Sequence, residues 1–155
     1  MTYRISGLAP EQFSHLIDAD EATLATEGAV RVVAGADKGW PCRISLEDAK
    51  AGESLILLNH VSHEVATPYK SSYAIYVREA AAAPAEYVGE IPPVFEGRPI
   101  ALRAFDDEGM LRNAALALPG EADAKIRDLF AANEIAYIHA HNAAHGCFAA
   151  KVERA

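Results

Sequence analysis

The sequence predicts an α+β fold: a mostly antiparallel, twisted sheet of about seven strands with about three short helices. Three observations predict it. Strand-like runs follow one another directly, without strict alternation with helices. One long stretch, "GEADAKIRDLFAAN" (120–133), carries a clear helical stripe at Ile126, Leu129 and Phe130. The chain has 155 residues, which suits a single domain, 1–155, with a core that needs no metal or disulfide.

The elements follow in order. "YRISGL" (3–8) reads as the first strand. Pro10 opens a short helix with Phe13, Leu16 and Ile17 at helical spacing. Asp18 or Asp20 caps a second helix that stops near Gly28. "VRVVA" (30–34) is a strand. Pro41 to Ile44 is extended, and Ser45 with Asp48 three residues later has capping-box form, which predicts a helical turn to about Gly52. "SLILLNHV" (54–61) and "YAIYVREA" (73–80) read as strands, and 78–93 as an exposed loop with a helical turn. Residues 99–118 form a hairpin turning at the Asp-Asp-Glu-Gly of 106–109. Two last strands, 135–141 and 147–153, follow the helix.

Net charge is −8, and the fourteen Lys and Arg are scattered singly. That argues against nucleic acid or an anionic membrane as partner. No apolar run nears the roughly 20 residues of a membrane span. The start, "MTYRISGLAPEQ", lacks the apolar region of a signal peptide, so a cytoplasmic address is expected. Cys42 and Cys147 are then expected to be reduced, and to come close without a disulfide. There is no phosphate-binding glycine loop, zincin motif, EF-hand or nucleophile elbow.

The chemistry concentrates in "YIHAHNAAHGCF" (137–148). If 135–141 and 147–153 form a hairpin with His141 opposite Cys147, then His139 faces Ala149 and Tyr137 faces Lys151. One face then carries Tyr137, His139, His141, Cys147, Lys151 and Glu153. The other carries Ala136, Ile138, Ala140, Phe148, Ala150 and Val152, all apolar, and must be the core face. A cross-strand His141–Cys147 pair would stand about 5 Å apart at Cβ. That spacing permits a thiolate–imidazole pair, or a metal site in which His145 or Cys147 completes a set of three with the two strand histidines. Against the metal, no carboxylate or second cysteine has ligand spacing. His60 and His63, three apart on a strand, point to opposite faces, so at most one can join.

Arg43, Arg78 and Arg103 lie inside apolar strands. They either form structural ion pairs with the neighbouring Glu47, Glu79 and Asp106, or they line an anion-binding cleft.

"PCRISLEDA" (41–49), "TPY" (67–69), "YVRE" (76–79), "LRAFD" (102–106), "HAHNAAHGC" (139–147) and "VERA" (152–155), taken together, resemble the bacterial family DUF1203, a domain family of unknown function. The resemblance runs from Tyr3 to the end. It implies a single-domain bacterial protein with family motifs at Cys42, Arg43, Arg78, Arg103, His139, His141, Asn142, Gly146 and Cys147, and leaves out His60, His63 and His145. It implies no activity, substrate or cofactor.

The reading that results is a site for a small anionic molecule. His139, His141, Asn142 and Cys147 are its catalytic candidates, with Cys147 as nucleophile or redox thiol, His141 as base and Asn142 as orienting group. Arg43, Arg78, Arg103 and Cys42 are the ligand-binding candidates. No metal and no cofactor are expected, and the oligomeric state is open, a homodimer included. One alternative is a non-catalytic binding or scaffold protein with a structural His/Arg network. Another is a histidine-based metal-dependent hydrolase.

Overall fold

The computed structural model describes residues 1–155. It contains β1 (Tyr3–Ser6), α1 (Glu21–Thr26), β2 (Val30–Val33), β3 (Ser54–His63), β4 (Ser71–Arg78), β5 (Glu86–Val88), β6 (Ile100–Phe105), β7 (Leu111–Ala117), α2 (Ala122–Phe130), β8 (Tyr137–Asn142) and β9 (Phe148–Arg154). Single 3₁₀ turns sit at Pro10–Phe13 and Pro93–Phe95. The α+β class holds and the named strands all pair antiparallel, with one isolated parallel bridge between Cys42 and Tyr76, but the strands divide into two sheets. The larger has the order β5-β1-β9-β8-β6-β7 and the smaller β2-β3-β4.

Alternation along β8 and β9 builds the main core. Ile138, Ala140, Ala150 and Val152 are all buried on one face, as the spacing predicts. They pack with Tyr3, Ile5, Leu102 and Ala104 against the α2 stripe of Ile126, Leu129 and Phe130. Each buried aliphatic side chain of that size contributes roughly 1.5–3 kcal/mol. A second core joins Phe13, Leu16 and Leu24 to Ile44, Ile56, Ile75 and Val77 of the smaller sheet. Asp20 is the cap of α1, accepting from the Thr23 amide at 2.8 Å, and Gly28 ends that segment at φ +67°.

The structure differs from the sequence expectation at four points. There are nine strands in two sheets, because residues 30–78 pair among themselves. The first predicted helix is only a 3₁₀ turn, leaving two α-helices. The loop 78–93 contains a short edge strand, β5, paired with β1. Between Pro84 and Gly89 it is too short to show alternation. The Ser45/Asp48 pattern caps no helix. Leu46 sits at φ +53°, and Asp48 instead accepts from the Trp40 amide at 3.1 Å and pairs with Arg98.

The segment carrying Arg43 is held from both sides. The Leu8 amide donates to the Arg43 carbonyl at 2.7 Å and the Ala85 amide to the Ile44 carbonyl at 2.9 Å. Gly7 makes this approach feasible, since a Cβ there would lie 1.9 Å from the Ile44 oxygen.

Candidate functional site

The β8–β9 register places the titratable side chains. His139 lies opposite Lys151 and Tyr137 opposite Glu153. A bulge between Ala140 and His141 then sets His141 against Phe148, where the sequence reading had Cys147. Phe148 is thereby turned off the core face and onto the histidine face, its ring 5.1 Å from His139 and 5.9 Å from His141. Cys147 falls just outside the ladder, beside Asn142, whose amide N–H donates to the Cys147 carbonyl at 2.9 Å. Gly146, at φ +79°, closes the loop by donating to the Asn142 carbonyl at 2.8 Å.

The histidine face is not a wet surface. The smaller sheet covers it, leaving His139 4% and His141 2% exposed. His63 of β3 meets His139 edge-on at 4.9 Å, and Tyr73 of β4 meets His141 at 5.0 Å. Phe105 stacks on Tyr137 at 5.5 Å. The Tyr69 carbonyl can only accept, so the His63 Nδ1 carries the proton, donating at 2.9 Å. Its Nε2 then accepts from the Tyr137 hydroxyl at 2.6 Å. A bulge between Val61 and His63 breaks the simple alternation count, so that His60 also approaches this layer, 6.4 Å from Phe148.

Burial, followed by the nearby His63 and His141, pushes the His139 pKa down to about 3. Burial pushes His141 down to about 4, against the opposing pull of its hydrogen bond to the Gly146 carbonyl. Arg103 and Arg43 lower it further. Both rings are therefore neutral at pH 7. The His141 Nδ1 donates to Gly146 O at 3.0 Å, and the ring makes no bond to the Cys147 sulfur. The expected thiolate–imidazole pair does not form.

The partner of Cys147 is Arg43. Its Nη2 donates to Sγ at 3.0 Å, while Nε donates to Phe148 O at 2.8 Å and Nη1 to Pro41 O at 2.6 Å. Arg43 is 2% exposed and no carboxylate is among its partners. Burial lowers its pKa, and the sulfurs of Cys147 and Cys42 oppose that shift. Three of its five N–H groups are used, which leaves two free. The Asn142 side-chain amide also reaches Sγ, at 3.6 Å.

These groups wall a cleft of about 530 Å³, within the usual range for small-molecule sites. Arg43, Asn142 and Cys147 form one side, and Leu57, Tyr73 and Tyr76 of the smaller sheet form another. Arg98, Pro99 and His145 complete the rim. Tyr73, Tyr76 and Arg98 were not singled out from sequence. The "YAIY" run shows two tyrosines but not that they border a cavity.

The three arginines separate. Arg78 is neutralised by Glu53 and Glu47, and also reaches Ser45. None of the three expected pairings forms, since Glu47, the acid expected at Arg43, pairs with Arg78. Glu79 pairs with Arg31, and Asp106 with Arg112. Arg103, opposite His139 on β6, donates to the Tyr73 hydroxyl at 3.0 Å and meets no acid. Cys42 is buried behind Arg43, unpaired with Cys147, and its sulfur accepts from the amides of Ile44, Ser45 and Arg78. No three His, Cys, Asp or Glu side chains are arranged to hold a metal ion, and both His63 nitrogens are engaged.

Residues 39–154 match the family described as "Protein of unknown function (DUF1203)". The chain belongs to DUF1203. The match begins at Gly39 and not at Tyr3, yet it spans every residue of the cleft and of the histidine layer. No curated protein and no solved structure matches this DUF1203 chain. No helix is long and apolar enough to cross a membrane.

Proposed function

We propose that the protein binds a small molecule carrying an anionic group in the cleft beside Cys147, and that Cys147 is its reactive thiol. The single observation that carries this reading is Arg43: a guanidinium 2% exposed, without a carboxylate, 3.0 Å from Sγ and lining the cavity. A guanidinium so placed donates a hydrogen bond to the sulfur and faces the charge that develops there in reaction. The side chain lines the cavity with two N–H groups unpartnered, and an oxyanion bound there is the partner this reading assigns to them. His139 and His141 do not line the cleft; in this reading they are the neutral, buried layer packed behind Tyr73. The compartment is taken as cytoplasmic, where both cysteines stay reduced.

Alkylation with two reagents of different charge tests it. An ordinary thiolate reacts more slowly with iodoacetate than with iodoacetamide, because like charges repel. Here the Arg43 cation is expected to reverse that preference at Cys147, and Arg43→Lys to weaken the reversal. A preference matching that of a free model thiol would contradict the anion-binding cleft.

A further inference from the structure

The polar environment of Cys147 restricts what it can react with. Acyl transfer and most group transfers from oxygen or nitrogen need a proton carried to the leaving group. No side chain in hydrogen-bond contact with the sulfur does that, and His145 on the cleft rim has no hydrogen bond to orient its ring for it. The His141 Nδ1 is turned to the Gly146 carbonyl, and the two side chains reaching Sγ, Arg43 and Asn142, donate without shuttling a proton at neutral pH. What the pair can do is stabilise negative charge on sulfur. The chemistry that needs only this is displacement of one thiolate by another.

Resting on the proposed reading of the cleft, we propose that the substrate is a low-molecular-weight disulfide bearing carboxylates. The Cys147 thiolate attacks one sulfur of the disulfide in line with its S–S bond. A new bond forms between Cys147 Sγ and that sulfur, and the original S–S bond breaks with its electron pair leaving on the departing sulfur. The departing thiolate takes a proton from water. Cys147 is oxidised to a mixed disulfide and the released half is reduced, so no further oxidant is needed. Excess of the same small thiol reverses the step. Arg43 serves twice: its Nη2 faces the attacking sulfur, and its two unbonded N–H groups take a substrate carboxylate. Tyr73, Tyr76 and Leu57 supply the apolar wall for the connecting chain, and the 530 Å³ cleft has room for such a molecule.

The test is a charge series on the reduced full chain. Glutathione disulfide is anionic, hydroxyethyl disulfide neutral and cystamine cationic. Each rate of adduct formation is divided by that disulfide's rate with a small reference thiol, and peptide mapping locates the adduct. A parallel aliquot is alkylated with iodoacetamide. The expected result is an adduct on Cys147 alone, with normalised rates falling from anionic to neutral to cationic by roughly tenfold or more, and a gap that narrows with added salt. Prompt alkylation of Cys147 with no adduct, or with equal normalised rates across the series, overturns the substrate proposal and leaves the reactive cleft standing. Failure of both alkylation and exchange removes both. Arg43→Lys is expected to flatten the charge preference. Should that variant not fold, the wild-type series decides alone.

Discussion

Cys42 and Cys147 take opposite parts. Cys147 borders the cleft, whereas Cys42 is 1% exposed and its sulfur accepts three backbone N–H groups at 3.3–3.5 Å. Removing that acceptor leaves buried donors unsatisfied, at about 1–3 kcal/mol. Cys42→Ala is therefore expected to lower stability in urea unfolding by about that amount, and Cys42→Ser, which keeps an acceptor, by clearly less. Equal losses would mean that the cavity and not the lost acceptor sets the cost. At this scale the sequence was informative about identity and uninformative about partners. The crowding of His139, His141, Asn142 and Cys147 pointed to this hairpin, of which Asn142 and Cys147 border the cleft while His139 and His141 lie outside its lining, and Arg43 was among the candidates. The partner of Cys147 was misassigned because one bulge, invisible in an alternation pattern, moved His141 to face Phe148. Arg43 and Cys147 are 104 residues apart, so no local pattern could have joined them.

Two elements govern whether the site is assembled. The first is the buried layer between β8 and the smaller sheet. His139 and His141 have folded-state pKa values of about 3 and about 4, against an ordinary 6.5. Below the ordinary value the unfolded chain binds protons that the folded chain refuses. Stability is thus held above about pH 6.5 and falls as pH drops towards 4, by about 1.4 kcal/mol per pH unit for each histidine. Carboxylates do not confuse the upper part of this window. The lowered acids, such as Glu79 held at about 2 chiefly by Arg31, lose their contribution only below their ordinary value of 4.5. Urea midpoints measured between about pH 7 and pH 5 should fall steeply, and His139→Gln should remove one of three contributions to the slope, since burial lowers His60 as well. A flat profile would mean the layer is open to water. The second element is the strap of residues 7–8 against 43–44. Gly7→Ala drives a methyl group into the Ile44 carbonyl, so it should cost about 1–3 kcal/mol or more and displace Arg43. Its expected signature is a lowered Tm together with slower alkylation of Cys147. A loss of stability with unchanged reactivity would separate the strap from the site. The hairpin of 99–118, the α2 stripe and the Asp20 cap were legible because their signals are local. β5 and the absent Ser45 helix were not, since one is a three-residue edge strand and the other is overridden by Leu46, Val94 and Phe95 packing in the main core.

At the scale of the molecule, alternation showed which face of β8 and β9 is apolar but not what covers the other. Lys151 and Glu153 suggested water there, and they do pair at the rim, 2.7 Å apart. The smaller sheet seals the middle of that face, and only the pairing of β2, β3 and β4 into a separate sheet reveals it. The net charge of −8 has a similar limit as a guide to the site. An acidic chain still presents, near its cleft, two arginines that meet no carboxylate, Arg43 and Arg103. Their field should draw anions inward, and labelling of Cys147 by iodoacetate should slow as salt is raised, more than labelling by iodoacetamide. Identical salt dependence would show that the local cations do not steer the reagent. The central claim is that Arg43 makes Cys147 the reactive thiol, and site-mapped limited alkylation tests it most directly. The native protein is treated with one equivalent of iodoacetamide at neutral pH, quenched, and mapped by mass spectrometry, beside an Arg43→Met variant checked for folding. The account predicts label on Cys147 with Cys42 untouched, faster than a model thiol, and slowed about tenfold or more when Arg43 is lost. Label shared between the two cysteines, or a folded Arg43→Met variant that reacts as fast as the wild type, would contradict it.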